Sequence, residues 1–227
     1  MGRCARACSC VGVRLRVTER GAERKTEEKM MHKLSIWCGM LIGIGALACM
    51  VTGGVLGAVL FSFGLVSVIC TGKRNLYTGW VGVCDFKTAA GWRKLFAMLL
   101  LNSVGVALVA TLAWIADVDI AASVDAIVEK RLQSSCLGLF CKSVITGIIM
   151  HICVWCAIHK ATFIPTLLGV PLFILCGLPH CIADVFYYTT SVANGNADIA
   201  LLLPWVVSIA GNTVGCNVPR LMDKDMG

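Results

Sequence analysis

The chain has 227 residues, of which 58% are hydrophobic and only 15% are charged, and its mean hydropathy is +0.81. This composition excludes an ordinary soluble domain and indicates an all-α integral membrane protein. The net charge of +7 does not indicate a nucleic-acid partner, because nine of the 20 Lys and Arg residues precede Leu34 and most of the others flank apolar segments. A transmembrane helix needs about 20 apolar residues, and six such segments take up nearly all of the chain after residue 33.

The 14 cysteines lie mostly singly within apolar segments. Their spacing indicates neither a disulfide framework nor a zinc site, and in such helices Cys acts as a small hydrophobic residue. No nucleophile–base pair and no phosphate-binding loop is evident. We therefore expect no metal, no cofactor and no enzymatic activity.

Residues 1–33 are polar and basic and lack the apolar core of a signal peptide, so we predict a disordered or helical cytoplasmic extension. Residues 34–72 contain no charged residue and are long enough for two spans that meet at Gly53-Gly54. The second span is interrupted at residues 70–75, just before Leu76-Tyr77-Thr78-Gly79-Trp80. The third span, residues 95–116, is unbroken.

Residues 117–131 are charged and are predicted to form a loop or an amphipathic segment, and a fourth span covers about 136–158. The fifth segment has no Lys, Arg, Asp or Glu from residue 161 to residue 183. A sixth span at about 199–219 completes the predicted transmembrane domain, residues 34–219. Residues 220–227 form a short charged tail, predicted to be cytoplasmic.

The fifth segment is interrupted at Cys176-Gly177-Leu178-Pro179, and His180 follows directly. Gly allows non-helical dihedral angles, and Pro removes an N–H group and clashes with the preceding turn. An ionisable side chain at a broken helix within an apolar span predicts a functional site. The alternative is a structural histidine that is hydrogen-bonded between packed helices.

The distribution of positive charge predicts the orientation. With the N-terminus inside, the cytoplasmic segments carry 15 Lys and Arg residues, whereas the outer loops carry only Lys130 and Arg131. By the positive-inside rule, both termini are predicted to lie in the cytoplasm. We expect a multi-pass protein of the plasma (inner) membrane.

The two halves of the predicted domain share a pattern. In each half, the middle span is broken, an aromatic residue precedes the break and a polar residue follows it. The matching features are Phe61 and Phe173, Thr78 and His180, and the tetrapeptides Asn102-Ser103-Val104-Gly105 and Asn212-Thr213-Val214-Gly215. Three spans per half is an odd number, so the second half would insert upside down. Paired broken helices in an inverted repeat are typical of a transport pathway near the bilayer midplane; the alternative is a chance combination of Gly and Pro kinks.

These residues resemble the formate/nitrite transporter family. Four segments carry the resemblance: Gly64-Leu65 with Leu76-Tyr77-Thr78-Gly79, Val154-Trp155, Cys176 to Asp184, and Gly211-Asn212. The third is similar to the family's Gly-Phe-Glu-His-Ser-x-Ala-Asn motif, but Leu178-Pro179 replaces Phe-Glu and Asp184 replaces Asn. Gly147 and His151 also depart from the family pattern.

The resemblance implies an aquaporin-like fold, a homopentamer and one pore in each subunit. It places one apolar constriction near Phe61, Leu65 and Leu76 and another near Phe173. It makes Thr78 and Asn212 polar partners around a central His180. It also implies a substrate-pathway role for Lys130, which falls one residue out of register with the family's lysine before the fourth helix.

The sequence therefore predicts a channel or transporter for small monovalent anions of weak acids, formate or nitrite above all. Moving a bare anion through an apolar ring is costly, so we expect a proton link through His180, because histidine titrates near ~6.5 when unperturbed. The expected partners are the anion, membrane lipid and further copies of the chain. Two alternatives remain: an aquaporin-like channel for neutral solutes, and a haem-binding electron-transfer subunit that would use His151, His159 or His180.

Overall fold

The structure, a computed structural model, describes residues 5–71, 75–82, 88–196 and 199–223, with side chains from Lys29 onward. Lys73, Arg74, Lys87 and Lys224 lie outside the described residues. The described part is helical and contains no strand. Its helices are α1 (Ala5–Thr52), α2 (Gly54–Cys70), α3 (Tyr77–Trp80), α4 (Ala89–Ile115), α5 (Ala121–Gln133), α6 (Cys136–His159), α7 (Ile164–Leu175), α8 (Asp184–Ala193) and α9 (Leu202–Met222), the last preceded by a 3₁₀ turn at Ile199–Leu201.

Four described segments are long and apolar enough to cross a membrane: Lys29–Thr52, Ala89–Ile115, Cys136–His159 and Ile199–Met222. Their positions in the chain coincide with the first, third, fourth and sixth predicted spans. The second and fifth predicted spans contain two shorter apolar helices, Gly54–Cys70 and Ile164–Leu175. Each of these shorter helices is followed by an interruption and then by a further helical segment.

The interruption after α7 has a local cause. After α7, Gly177 takes a left-handed conformation with φ +64°, which glycine adopts without steric cost. The N–H groups of Gly177 and Leu178 cap the helix end by bonding to the carbonyls of Ile174 and Phe173, both at 2.9 Å. The chain then continues through Pro179, and helix α8 begins at Asp184, whose N–H donates to the carbonyl of His180 at 2.8 Å.

Two pairs of long helices pack at very close range, α1 against α4 and α6 against α9. Small residues make this possible, because a Cβ atom on Gly105 would meet the carbonyl oxygen of Ile36, and one on Gly215 would meet that of Val144. Close helix approach through small residues is the usual packing mode in lipid. The two glycines are the last residues of the two matching tetrapeptides, so the same sequence feature performs the same packing role in both halves.

The two short apolar helices, α2 and α7, pack against each other between these pairs. The segment predicted as a loop or amphipathic piece forms helix α5, which packs against α8. On α5, Val124 and Val128 are buried together with Arg131. Helix α5 thus brings a cationic side chain to the second interruption.

Candidate functional site

His180 lies in the second interruption and is 2% exposed. Its ring Nε2 is 3.2 Å from Oγ1 of Thr78, which belongs to α3 beyond the first interruption. The two residues that follow the two breaks therefore meet, although they are 102 positions apart in the chain. A hydroxyl can accept or donate a hydrogen bond, so Thr78 suits either role of the ring nitrogen.

The other nitrogen of His180 is also occupied. The backbone N–H of Ala183 donates to Nδ1 at 3.1 Å, which makes Nδ1 an acceptor. A neutral imidazole then carries its proton on Nε2 and donates it to Thr78. Adding a second proton at Nδ1 would require the bond from Ala183 to break.

Apolar rings cover the histidine. The ring of Phe173 stacks on that of His180, with centroids 5.6 Å apart and planes at 22°. Phe61 meets Phe173 edge to face at 6.1 Å. Leu65 and Leu76 are each 1% exposed and belong to the same buried cluster. The residues predicted for two separate constrictions thus form one continuous apolar group, with Phe61 of α2 in contact with Phe173 of α7.

Asn212 on α9 does not bond to the imidazole but holds the backbone on both sides of it. Its Oδ1 accepts from the N–H of Cys181 at 2.8 Å, and its Nδ2 donates to the carbonyls of Pro179 at 3.2 Å and Ser143 at 2.8 Å. Both amide hydrogens are therefore in use. Asn212 thus holds the backbone around His180, and its place in the substrate pathway stays a prediction.

Asn102 on α4 does the same at the first interruption. Its Oδ1 accepts from the N–H of Tyr77 at 2.8 Å, and its Nδ2 donates to the carbonyls of Asn75 at 2.8 Å and Ser35 at 2.7 Å. The residue held between the two bonded neighbours is Leu76 here and His180 in the other half. By these bonds, Leu76 has the same place relative to Asn102 as His180 has relative to Asn212, and Thr78 lies two residues further along the chain.

A cavity of about 500 Å³ leads to this group of residues. Phe173 and His180 form part of its wall, as do Tyr187 of α8 and the end of α7. Its charged lining residues are Lys130, Arg131, Lys142 and Asp184, which give three positive charges against one negative. The cavity therefore has the electrostatic character of an anion vestibule.

Within this vestibule Lys130 and Arg131 have different environments. Lys130 is exposed at the cavity wall, whereas the Arg131 side chain is only 9% exposed and forms an ion pair with Asp184, Nε to Oδ2 at 3.2 Å. Nη1 of Arg131 also donates to the carbonyl of Gly177 at 2.8 Å. The residue that reaches the interrupted helix is thus Arg131, the neighbour of the lysine that the resemblance selected.

Sequence reasoning missed three contributors: Arg131, Lys142 and Asn102 as a backbone clamp. Asp184 carried a usable signal, because a carboxylate within an apolar segment needs a cationic partner when it is buried. The matching Asn-x-Val-Gly tetrapeptides carried another, since a residue that clamps one interruption should have a counterpart at the other. Lys142 gave no signal beyond its place near the start of α6.

Comparison with known proteins identifies a family and two solved structures of similar fold. A family model described as "Formate/nitrite transporter" matches residues 15–219. Among solved structures, the chain is similar to a "Pentameric formate channel with formate bound", with a TM-score of 0.76, 20% identity and coverage of 87% of this chain and 96% of that one. It is also similar to an "FNT family ion channel", with a TM-score of 0.75, 18% identity and coverage of 92% and 93%. No curated protein sequence shows a significant match.

Proposed function

Because the chain belongs to the formate/nitrite transporter family, we propose that this integral membrane protein is a channel for small monovalent anions of weak acids, with formate and nitrite as its first candidates. The observation that carries the proposal is the contact of His180 with Thr78. This contact lies behind the two packed rings of Phe61 and Phe173, called the phenylalanine layer below. His180 also lines a cavity that has three cationic side chains. The matched structures are channels, not enzymes.

In the proposed architecture, six spans form two inverted repeats, with α2–α3 and α7–α8 as the interrupted pairs. The paired asparagine clamps and the paired glycine contacts support it, because both recur at corresponding points of the two halves. Backbone that leaves helical geometry within a membrane needs hydrogen-bond partners supplied by protein. The asparagine side chains supply them.

The proposed path begins in the vestibule. Lys130 and Lys142 draw an anion toward the cavity, and the phenylalanine layer excludes water and bare ions from the centre. Crossing that layer as an unpaired charge is costly. The anion must therefore gain a hydrogen bond or a proton from the one ionisable ring that borders the layer, His180.

The bonds to His180 set the conditions for that step. With Nδ1 occupied by Ala183, the neutral ring offers its Nε2 proton as a hydrogen-bond donor, and an anion would compete with Thr78 for it. Full proton transfer requires the ring to be protonated at Nδ1 first. We propose that proton-linked transport passes through a state in which the 180–184 turn has moved enough to release Ala183.

The assembly and orientation complete the proposal. A matched structure is described as pentameric, and many apolar side chains face outward along the helices, so we propose a homopentamer with one pore in each subunit. We place it in the plasma (inner) membrane with both termini in the cytoplasm, in accordance with the charge distribution.

The test is uptake into liposomes that contain the purified channel, with formate, nitrite, lactate, acetate, hydrosulfide and glycerol in one assay. We expect saturable uptake of formate or nitrite that rises as the external pH falls. Glycerol uptake without anion uptake would favour the neutral-solute alternative. The haem alternative gains no support from His180, because both of its ring nitrogens already have partners; a Soret band in the purified protein would revive it.

A further inference from the structure

The ion pair between Arg131 and Asp184 forms part of the vestibule wall, and its geometry is that of a bound carboxylate. Nε of Arg131 lies 3.2 Å from Oδ2 of Asp184, and Nη2 lies 3.3 Å from Oδ1. Two parallel N–H···O contacts from one edge of a guanidinium are the usual way in which arginine recognises a planar anion.

The arginine is held in place independently of Asp184. Nη1 donates to the carbonyl of Gly177 at 2.8 Å, and Nη2 donates to the carbonyl of Leu178 at 3.4 Å. These bonds fix the guanidinium against the end of α7. The edge formed by Nε and Nη2 would therefore keep its direction if the carboxylate were removed.

We propose that Asp184 is a built-in carboxylate that occupies the anion-binding edge of Arg131 and thereby sets how tightly the vestibule holds planar anions. This inference rests on the proposed anion-channel function. Conduction requires an anion to bind well enough to enter and weakly enough to leave. An unoccupied, buried guanidinium next to His180 would hold formate or nitrite too firmly, whereas Lys130 and Lys142 attract anions as exposed point charges without a fixed fork.

Removing the carboxylate tests the proposal. Asp184→Ala deletes a group of about the size of formate beside a fixed guanidinium, and Asp184→Asn removes the charge but keeps the side chain's shape. With Asp184→Ala we expect the apparent KM for formate and nitrite to fall by roughly tenfold, about 1.4 kcal/mol of added binding, and the maximal flux to fall because the anion leaves more slowly. The fall in KM should be smaller for Asp184→Asn, because the amide still fills the space beside the Arg131 guanidinium.

Anions of different shape distinguish bidentate binding by the Arg131 edge from a general gain in positive charge. A planar, two-oxygen anion can use both donors of the edge, whereas chloride can use them less well. We therefore expect the KM for chloride to change much less than that for formate. Lys142→Gln is the matched control: it should weaken uptake of formate and chloride alike, and its effect should shrink as salt is added.

A second readout does not depend on transport. In detergent, formate should raise the melting temperature of Asp184→Ala and leave that of the wild type nearly unchanged, because a ligand that binds only the folded protein stabilises it. Equal KM values and no stabilisation by formate would overturn the proposal, as would failure of both Asp184 variants to assemble even in formate, since the pair would then be a structural clamp. If the wild type carries no anion, the proposed function fails instead.

Discussion

The two interruptions share a scaffold and differ in what the scaffold holds. At the first, Asn102 binds the backbone on both sides of Leu76; at the second, Asn212 binds the backbone on both sides of His180. The apolar side chain joins the buried cluster with Phe61, whereas the imidazole stacks on Phe173 and bonds to Thr78. The shared part maintains the fold, and among the described residues the clamped side chain is ionisable only at the second interruption.

The charged surroundings differ in the same way. The second interruption has an arginine on the carbonyls of Gly177 and Leu178 and a carboxylate at the start of α8. A side-chain clamp also supports the first, where Asn75 donates to the carbonyl of Met31 at 3.3 Å, but this clamp is neutral. Among the described residues, the buried charged pair therefore lies at the second interruption, whereas Lys73 and Arg74 of the first lie outside the described residues.

The largest effect should come from breaking the clamps. Asn212→Ala and Asn102→Ala would each remove the side-chain partner of one backbone N–H and one carbonyl at a break. Leaving such groups unpaired costs about 1–3 kcal/mol apiece, so we expect a large loss of assembled channel in both cases. Native mass spectrometry and thermal unfolding in detergent would measure it. Asn217→Ala is the matched control on α9, because its side chain is only partly buried. A stable, assembled Asn212→Ala would contradict the clamp.

The next effect tests the shared helix packing. Gly105→Ala and Gly215→Ala would drive a methyl group into the carbonyls of Ile36 and Val144, and overpacking of this kind costs about 1–3 kcal/mol. The two melting temperatures should fall by similar amounts. Val214→Ala, at a position 48% exposed on the same helix, should change little. A harmful Gly215→Ala beside a harmless Gly105→Ala would show that the two halves do not share this crossing.

A smaller effect on stability, but a visible one on permeability, should follow from opening the apolar layer. Phe173→Ala removes the ring between Phe61 and His180, so water and glycerol should leak and selectivity for anions should fall. Stopped-flow light scattering on liposomes measures this leak. Phe96→Ala, at a position 62% exposed, is the control. An unchanged leak in Phe173→Ala would place the barrier elsewhere.

The smallest expected effect concerns Thr78. Thr78→Val removes one hydrogen bond to His180, worth about 1 kcal/mol, so anion uptake should fall several-fold while its response to pH remains. Thr78→Ser keeps the hydroxyl and should stay close to the wild type. Loss of the pH response in Thr78→Val would make the hydroxyl part of the proton path.

More of the helical scaffold than of the candidate site could be predicted from the sequence. The tetrapeptides at Asn102 and Asn212 and the breaks beside them could be read directly, because Gly, Pro and repeated polar residues act over short distances. The partner of Asp184 could not be predicted from the sequence, since the choice between Arg131 and Lys130 depends on which face of α5 packs against α8. The sequence matched Thr78 with His180 because both are polar, whereas the similar placing of Leu76 and His180 beside the two asparagines is visible only in the backbone hydrogen bonds.

The most direct test of the central claim compares formate uptake into liposomes across about pH 4 to 8, a range that includes the pKa of an unperturbed histidine, for wild-type protein and His180→Asn. The variant keeps polarity and approximate size but has no titratable ring. We expect wild-type uptake to rise as the external pH falls, and the variant to lose that response, with acid-side uptake lower by roughly tenfold or more, which corresponds to about 1.4 kcal/mol. Wild-type pH dependence in His180→Asn would contradict the account and place the proton chemistry on another group.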